Sequence, residues 1–77
     1  MSKLPQISGK EAVKVFQNIG YQVTRQRGSH VRMHHSYDSA KIPLTIPLHR
    51  TLAKGLLQRL LRDSELTLEE FIKLLRR

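Results

Sequence analysis

Apolar residues recur at every third or fourth position early in the chain, and this spacing predicts an amphipathic helix. Ser8 followed three residues later by Glu11 has the capping-box spacing of a helix start. Gly20 ends the pattern, so we predict helix 1 from Ser8 to Ile19, with its apolar stripe turned toward the core. That stripe consists of Ala12, Val13, Phe16 and Ile19.

The next segments alternate between apolar and polar residues, as strands with one buried face do. The sequence predicts strand 1 from Tyr21 to Gln26, a turn at Arg27-Gly28, and strand 2 from His30 onward. Successive side chains of a strand point to opposite faces, so Val31 and Met33 are expected to face the same way. The other face of strand 2 then carries His30, Arg32 and His34.

Residues 35–40, which contain Ser36, Asp38 and Ser39, are predicted to form the turn into a third strand. Pro43 and Pro47 fall on one row of that strand. Because proline cannot donate a hydrogen bond to a neighbouring strand, we expect strand 3 at an edge of the sheet. Its opposite, inward row is predicted to be Ile42, Leu44 and Ile46, with Leu48 as an optional fourth member.

Leucines at three- and four-residue spacing predict helix 2 over Leu52–Leu61. Gly55 inside it costs about 1 kcal/mol relative to alanine, which indicates either a close backbone contact or a helix that begins later. Thr67 and Glu70 repeat the capping-box spacing and open helix 3. The buried stripe of helix 3 is predicted to contain Leu68, Phe71, Ile72 and Leu75.

The predicted order is helix, three strands, helix, helix, which is an α+β fold, and we expect a single domain over residues 1–77. Short turns between successive strands predict an antiparallel sheet. Three amphipathic helices need one apolar face to cover, so they should pack on one side of the sheet and leave the other face open. This double-stranded-RNA-binding-like arrangement is shared by many functions and by itself indicates none of them.

The net charge is strongly positive, since 14 Lys and Arg against 6 Asp and Glu give +8 at pH 7. This charge favours a polyanion such as nucleic acid as the partner, with an acidic protein as the alternative. The absence of cysteine excludes disulfides and thiolate metal sites. No long apolar run follows the first residues as a signal peptide or membrane span would require, so we expect a cytoplasmic protein with no membrane partner.

Histidines and basic residues are the groups that remain for chemistry, because helix capping explains most of the acids and no glycine-rich phosphate loop is present. We expect no cofactor and no metal site, since His30 and His34 lie roughly 13 Å apart at the usual strand rise. His34 and His35 are interpreted as solvated turn residues. His49 is either polar surface or a phosphate contact.

His30 has a different setting from the other histidines. It follows Gly28-Ser29, where a backbone can approach a ligand closely. Histidine changes its charge near neutral pH, so His30 is a candidate proton-transfer residue, against the simpler interpretation of an inert strand histidine. The cations close to it in sequence, which can bind phosphate, are Arg25, Arg27 and Arg32.

Six short motifs, in their order along the chain, resemble those of HicA-type toxins. The Gly-Ser-His core of one motif is short, but its companions make the match specific. The chain departs from the family in a longer, His-rich turn over residues 34–37, which bears on how this turn meets a partner. The motifs are Lys3-Leu4-Pro5, Ser8-Gly9-Lys10-Glu11, Gly20-Tyr21, Arg25-Gln26-Arg27-Gly28-Ser29-His30, Ile46-Pro47-Leu48-His49 and Leu52-Ala53-Lys54-Gly55-Leu56-Leu57.

This resemblance implies a type II toxin that cleaves mRNA without the ribosome, with His30 as the catalytic residue. We expect this cleavage to need no metal, since the 2′-hydroxyl of RNA supplies the nucleophile and no set of metal ligands is visible in the sequence. The resemblance also implies silencing by a HicB-type antitoxin, and we expect a monomer alone and a hetero-oligomer with that antitoxin. The chemistry of RNA cleavage is consistent with a histidine and neighbouring cations as the reactive groups, because RNA supplies its own nucleophile in the 2′-hydroxyl. The expected RNA-binding residues are Lys10, Arg25, Arg27, Gly28, Ser29, Arg32, His49 and Lys54.

Two questions stay open at this level. The residues do not decide whether His30 acts as a base or as an acid. A non-catalytic double-stranded-RNA-binding module explains the charge and the fold equally well. A DNA-binding regulator is less well supported, because no helix-turn-helix spacing is visible.

Overall fold

The computed structural model of the protein describes residues 4–76, so Lys3 of the first motif lies outside the described residues. The order of the elements confirms the predicted α+β fold. No helix within residues 4–76 is long and apolar enough to cross a membrane. The elements are α1 (Gly9–Gln17), β1 (Tyr21–Arg27), β2 (His30–His35), β3 (Leu44–Pro47), α2 (Lys54–Ser64) and α3 (Leu68–Leu75).

Both predicted capping boxes are present. The Ser8 hydroxyl accepts a hydrogen bond from the backbone N–H of Glu11 at 3.1 Å, and the Glu11 carboxylate accepts one from Ser8 N–H at 3.0 Å. Thr67 and Glu70 make the same pair of bonds at the start of α3. The bonds from Thr67 stabilise the carboxylate of Glu70 and so lower its pKa from the ordinary value.

The sheet is antiparallel with the strand order β1-β2-β3, which places β3 at an edge, as its prolines predicted. Helix α1 packs against β1 and β3, α2 packs against β3, and α3 packs on α1. One face of the sheet is therefore covered and belongs to the core, while the other stays open. The strand residues that belong to the buried core are Tyr21, Val31, Met33, Leu44 and Ile46.

Three aromatic side chains form the centre of the core. The ring of Phe16 lies 6.1 Å from that of Tyr21 and 5.8 Å from that of Phe71, measured between centroids. The Tyr21 hydroxyl donates to the carbonyl of Ile42 at 2.9 Å. Burial, assisted by carboxylates of which Asp63 is the strongest, raises the pKa of Tyr21, so the hydroxyl keeps the proton that it donates.

Strand 3 is shorter than predicted, and two members of its inward row are wrong. Ile42 is 52% exposed and Leu48 is 38% exposed. Pro43 has no N–H to donate to β2, so the ladder begins after it, with Leu44 opposite Met33. Leu48 follows the last strand residue, and only its backbone N–H continues the pairing, by donating to the Ser29 carbonyl at 2.6 Å.

The interpretation of His35 as a solvated residue is also wrong. Its ring packs edge-on against Tyr21 and Tyr37, with centroids 5.1 and 4.6 Å away. The Nε2 atom donates to the carbonyl of Ile19 at 2.7 Å, and the buried Nδ1 has no partner within residues 4–76. His35 shares the inward face of β2 with Met33, which explains why it packs against the core.

Helix α2 begins at Lys54, later than the predicted start at Leu52. Gly55 consequently lies in the first turn, where a Cβ atom would meet nothing within 4 Å. Of the two explanations for this glycine, the later start is therefore correct and the close backbone contact is wrong. Leu52 is still buried, in the segment just before the helix.

Candidate active site on the open face of the sheet

His30 is the first residue of the central strand and is exposed. It lies opposite Arg27 of β1 and opposite Pro47 of β3, so it has a strand on each side. Because Val31 and Met33 face the core, the alternation of the strand turns His30 toward the open face. The predicted orientation of His30 is thus confirmed.

The turn before His30 is a two-residue hairpin turn formed by Gly28 and Ser29. Gly28 has a φ of +59°, a conformation that glycine adopts without strain. A positive φ at the first turn position only is the arrangement of a type II′ hairpin turn. A Cβ atom on Gly28 would meet nothing within 4 Å, so this backbone is open to an approaching ligand.

His49 lies beside His30, although the two are far apart in sequence. Their ring centroids are 6.3 Å apart and the ring planes are inclined by 74°. The chain reaches this position because Leu48 N–H donates to Ser29 O, which extends the pairing of β2 and β3 past the last strand residue. The structure therefore brings together two histidines that sequence reasoning treated separately.

The start of α1 holds His49 from the other side. The N–H of Gly9 donates to the His49 carbonyl at 2.9 Å. A Cβ atom on Gly9 would overlap the carbonyl oxygen of Pro47, so only glycine permits this approach of the helix to the end of β3. Gly9 is buried at this contact.

Three arginines lie on the same hairpin as His30. Arg27 lies opposite His30, and Arg25 lies opposite Arg32 across a bulge that inserts Thr24 into β1. The Nη1 atom of Arg32 donates to the hydroxyl of Thr45 at 2.8 Å, which directs this guanidinium along the open face toward β3. The three strands contain no acidic residue, so this part of the surface is positively charged.

The two predicted lysines are exposed and lie at helix starts, Lys10 in the first turn of α1 and Lys54 as the first residue of α2. Lys10 directly follows Gly9 and is therefore close in sequence to the contact with His49. Neither ammonium group makes a hydrogen bond or an ion pair within residues 4–76. Both remain available to an anion.

His34 lies on the same face of β2 as His30 but belongs to a different cluster. Its Nδ1 atom lies 2.6 Å from the hydroxyl of Thr24, and the exposed imidazole is thus hydrogen-bonded as well as solvated. Together with Arg25 and Arg32 these residues line a shallow depression. No group of three or more metal-binding side chains occurs within the described range 4–76.

A groove of about 530 Å³ runs from His30 along β3 to α2, and sequence reasoning missed it. The exposed side chain of Ile42 forms part of its apolar wall, and Arg59 and Asp63 of α2 form an ion pair of 3.8 Å there. The groove depends on how α2 packs beside β3, and no local pattern encodes that packing. Its remaining contacts are with Arg32, Leu56 and Leu60, among others.

The sequence and the structure were compared with family models, with curated proteins and with solved structures, and one of these comparisons gave a match. Neither the curated proteins nor the solved structures gave a significant match. The family model described as the HicA toxin of bacterial toxin-antitoxin matches residues 9–66. This range covers three quarters of the chain, from the start of α1 past the end of α2, and it includes every residue of the candidate site. The chain therefore belongs to the HicA toxin family and is the toxin of a toxin–antitoxin system.

Proposed function

We propose that this toxin is a metal-independent endoribonuclease that cleaves mRNA, with His30 as a catalytic residue. The observation that carries the proposal is the position of His30, an exposed imidazole on the central strand of a basic sheet face, at the end next to the hairpin turn, where the strands contain no acidic residue. A polyanion would be attracted to that face. Its phosphates would then lie beside a group that can transfer protons near neutral pH.

The chemistry of RNA requires little from such a site. The 2′-hydroxyl is the nucleophile, so the protein needs a group that transfers its proton and cations that stabilise the charged phosphorane. His30 supplies the first, and the neighbouring guanidinium groups supply the second. The residues proposed to bind the RNA are Lys10, Arg25, Arg27, Gly28, Ser29, Arg32, His49 and Lys54.

The first test is cleavage of a defined RNA by the purified protein in excess EDTA. We expect cleavage to continue, and we expect products with a 5′-hydroxyl end, because the 2′-hydroxyl rather than a metal-activated water attacks the phosphorus. A parallel preparation of His30→Ala reveals any contaminating nuclease. Activity that disappears with EDTA and returns with Mg²⁺ or Mn²⁺ would contradict the proposal. Binding without cleavage would instead support a non-catalytic RNA-binding module.

The antitoxin is proposed to be of the HicB type and to cover the same basic face, so that it competes with RNA. The toxin alone is proposed to be a monomer that forms a hetero-oligomer with this partner. An acidic partner surface would be attracted by Arg25, Arg27 and Arg32 over a long range. One contact would then block both substrate binding and chemistry.

Reversing the charge of Arg32 tests this proposal for the antitoxin. We expect Arg32→Glu to slow association with the toxin's antitoxin, and to do so more at low salt, because salt screens the attraction. Association kinetics by surface plasmon resonance measure the effect. Lys73→Glu makes the same change of net charge on the exposed side of α3 and should leave the rate nearly unchanged. Equal effects of both variants would show that net charge, and not this face, controls association.

A further inference from the structure

We propose that His49 is a second catalytic residue and shares with His30 the two proton transfers of RNA cleavage. One imidazole removes the proton of the 2′-hydroxyl, and the other donates a proton to the 5′-oxygen that leaves. This inference rests on the proposed function, in which a single histidine has no partner for the second transfer.

The reaction itself defines two places for a proton-transferring group. The bond between the 2′-oxygen and phosphorus forms while the bond between phosphorus and the 5′-oxygen breaks, giving a 2′,3′-cyclic phosphate and a 5′-hydroxyl. The neutral imidazole gains the proton of the 2′-hydroxyl, and the imidazolium loses its proton to the 5′-oxygen. The two rings end with exchanged protonation states, and exchange with water restores them before the next turnover.

The geometry of the two histidines fits one proton transfer by each imidazole. A group that moves a proton must come within about 2.6–3.2 Å of the oxygen concerned. With ring centroids 6.3 Å apart, His30 and His49 can each reach a different oxygen of one phosphate group. Both side chains are exposed, so a substrate can approach them from the open face.

His30 and His49 differ from the other two histidines of the chain in their hydrogen bonding. Within residues 4–76 neither the ring of His30 nor that of His49 makes a hydrogen bond. By contrast, His34 is bonded to Thr24, and His35 is bonded to the carbonyl of Ile19. The two rings that lie close together are therefore the ones whose nitrogen atoms are available to a substrate.

The position of His49 is fixed by its backbone. Leu48, the residue before it, is bonded to the carbonyl of Ser29, one residue before His30. The carbonyl of His49 accepts from Gly9 at the start of α1. Two neighbouring elements thus hold the backbone of His49 relative to β2, and the side chain needs no contacts of its own to stay near His30.

Charged residues lie on α1, β1, β2 and α2 and on the segment after His49, whereas β3 carries none. Histidine is the residue type that changes its charge near neutral pH, so a change of rate between pH 5 and 8 is expected to report the imidazoles. Two carboxylates also lie on these elements: Glu11 is bonded to Ser8 N–H, and Asp63 pairs with arginines of α2. The basic groups are Arg27 of β1, Arg32 of β2, Lys10 of α1, Arg50 after His49, and Lys54 and Arg59 of α2.

The test compares two leaving groups in single-turnover cleavage at saturating protein. One substrate carries the natural 5′-oxygen at the scissile phosphate, and the other carries sulfur there, which leaves as a thiolate without needing a proton. We expect His49→Ala and His30→Ala each to slow cleavage of the oxygen substrate by about 10²–10⁴-fold. We expect the sulfur substrate to restore the rate in one of the two variants, the one that lacks the acid, and not in the other.

The pH dependence provides a second readout. The wild-type rate should follow a bell-shaped profile, because one imidazole must be neutral and the other protonated, and each variant should lose one limb of the bell. His34→Ala is the matched control and should keep both the rate and the profile. His49→Gln accompanies His49→Ala as a second variant, and circular dichroism with RNA affinity checks that both are folded.

The outcomes distinguish this inference from the proposed function. If the wild type and His49→Ala cleave at similar rates while His30→Ala is inactive, the proposed function stands and the role of His49 is wrong. If His49→Ala cleaves more slowly than the wild type at low protein concentration but equally fast at saturating protein, His49 contributes to RNA binding alone. Failure of the sulfur substrate to restore either variant would also contradict the assignment of an acid. If the wild-type protein does not cleave RNA at all, the proposed endoribonuclease function is wrong.

Discussion

Replacing His30 with alanine is expected to lower the rate of RNA cleavage by about 10²–10⁴-fold, the usual contribution of a proton-transferring side chain. RNA affinity should change little, because it comes from many phosphate contacts with the basic residues of the open face. The exposed His30 side chain makes no hydrogen bond within residues 4–76, so the variant should also keep its stability. Single-turnover rates at saturating protein and a separate RNA dissociation constant measure the two effects.

His34→Ala is the control for this prediction, since it removes an imidazole from the same strand and the same face. We expect its cleavage rate to stay close to that of the wild type. Its hydrogen bond to Thr24 joins β1 to β2 on the exposed surface, so a small loss of stability is expected. Equal loss of activity in both variants would show that the general character of the face, rather than His30, carries the reaction.

The fold could be predicted from the sequence where its signals are local. The capping boxes at Ser8 and Thr67 lie within a few residues and were found with their partners. The alternation of Val31 and Met33 gave the faces of β2 correctly for the same reason. Where the prediction was wrong, a tertiary contact decided the outcome. The carbonyl of Ile42 accepts a hydrogen bond from the Tyr21 hydroxyl, and this bond holds Ile42 outside the sheet.

In the candidate site, too, local signals could be predicted from the sequence, whereas features that depend on tertiary contacts could not. His30 could be predicted as a candidate because its neighbours in sequence are also its neighbours in space, on one hairpin. The nearness of His49 depends on the register between β2 and β3 and on the bond from Leu48 to Ser29, which no local pattern contains. The prediction of a solvated His35 was wrong because it rested on the neighbouring turn, whereas the face of the strand that His35 shares with Met33 indicates contact with the core.

The second large effect concerns a residue outside the part of the chain that matches the family, which ends at residue 66. Phe71 of α3 is fully buried, and its ring contacts that of Phe16 in α1. We expect Phe71→Ala to lower the free energy of unfolding by about 3–5 kcal/mol, the usual cost of removing a buried phenyl ring. Urea denaturation followed by circular dichroism measures it.

This loss is large for so short a chain, since about 0.05–0.15 kcal/mol per residue gives a total of about 4–12 kcal/mol. With a total stability near the lower end of this range, a large fraction of Phe71→Ala is unfolded, and toxicity then falls although every candidate site residue is intact. Lys73→Ala removes an exposed side chain from the same helix and should change stability by no more than about 0.5 kcal/mol. If Phe71→Ala were as stable as Lys73→Ala, α3 would be dispensable to the core. The position of α1 at His49 would then depend on the sheet alone.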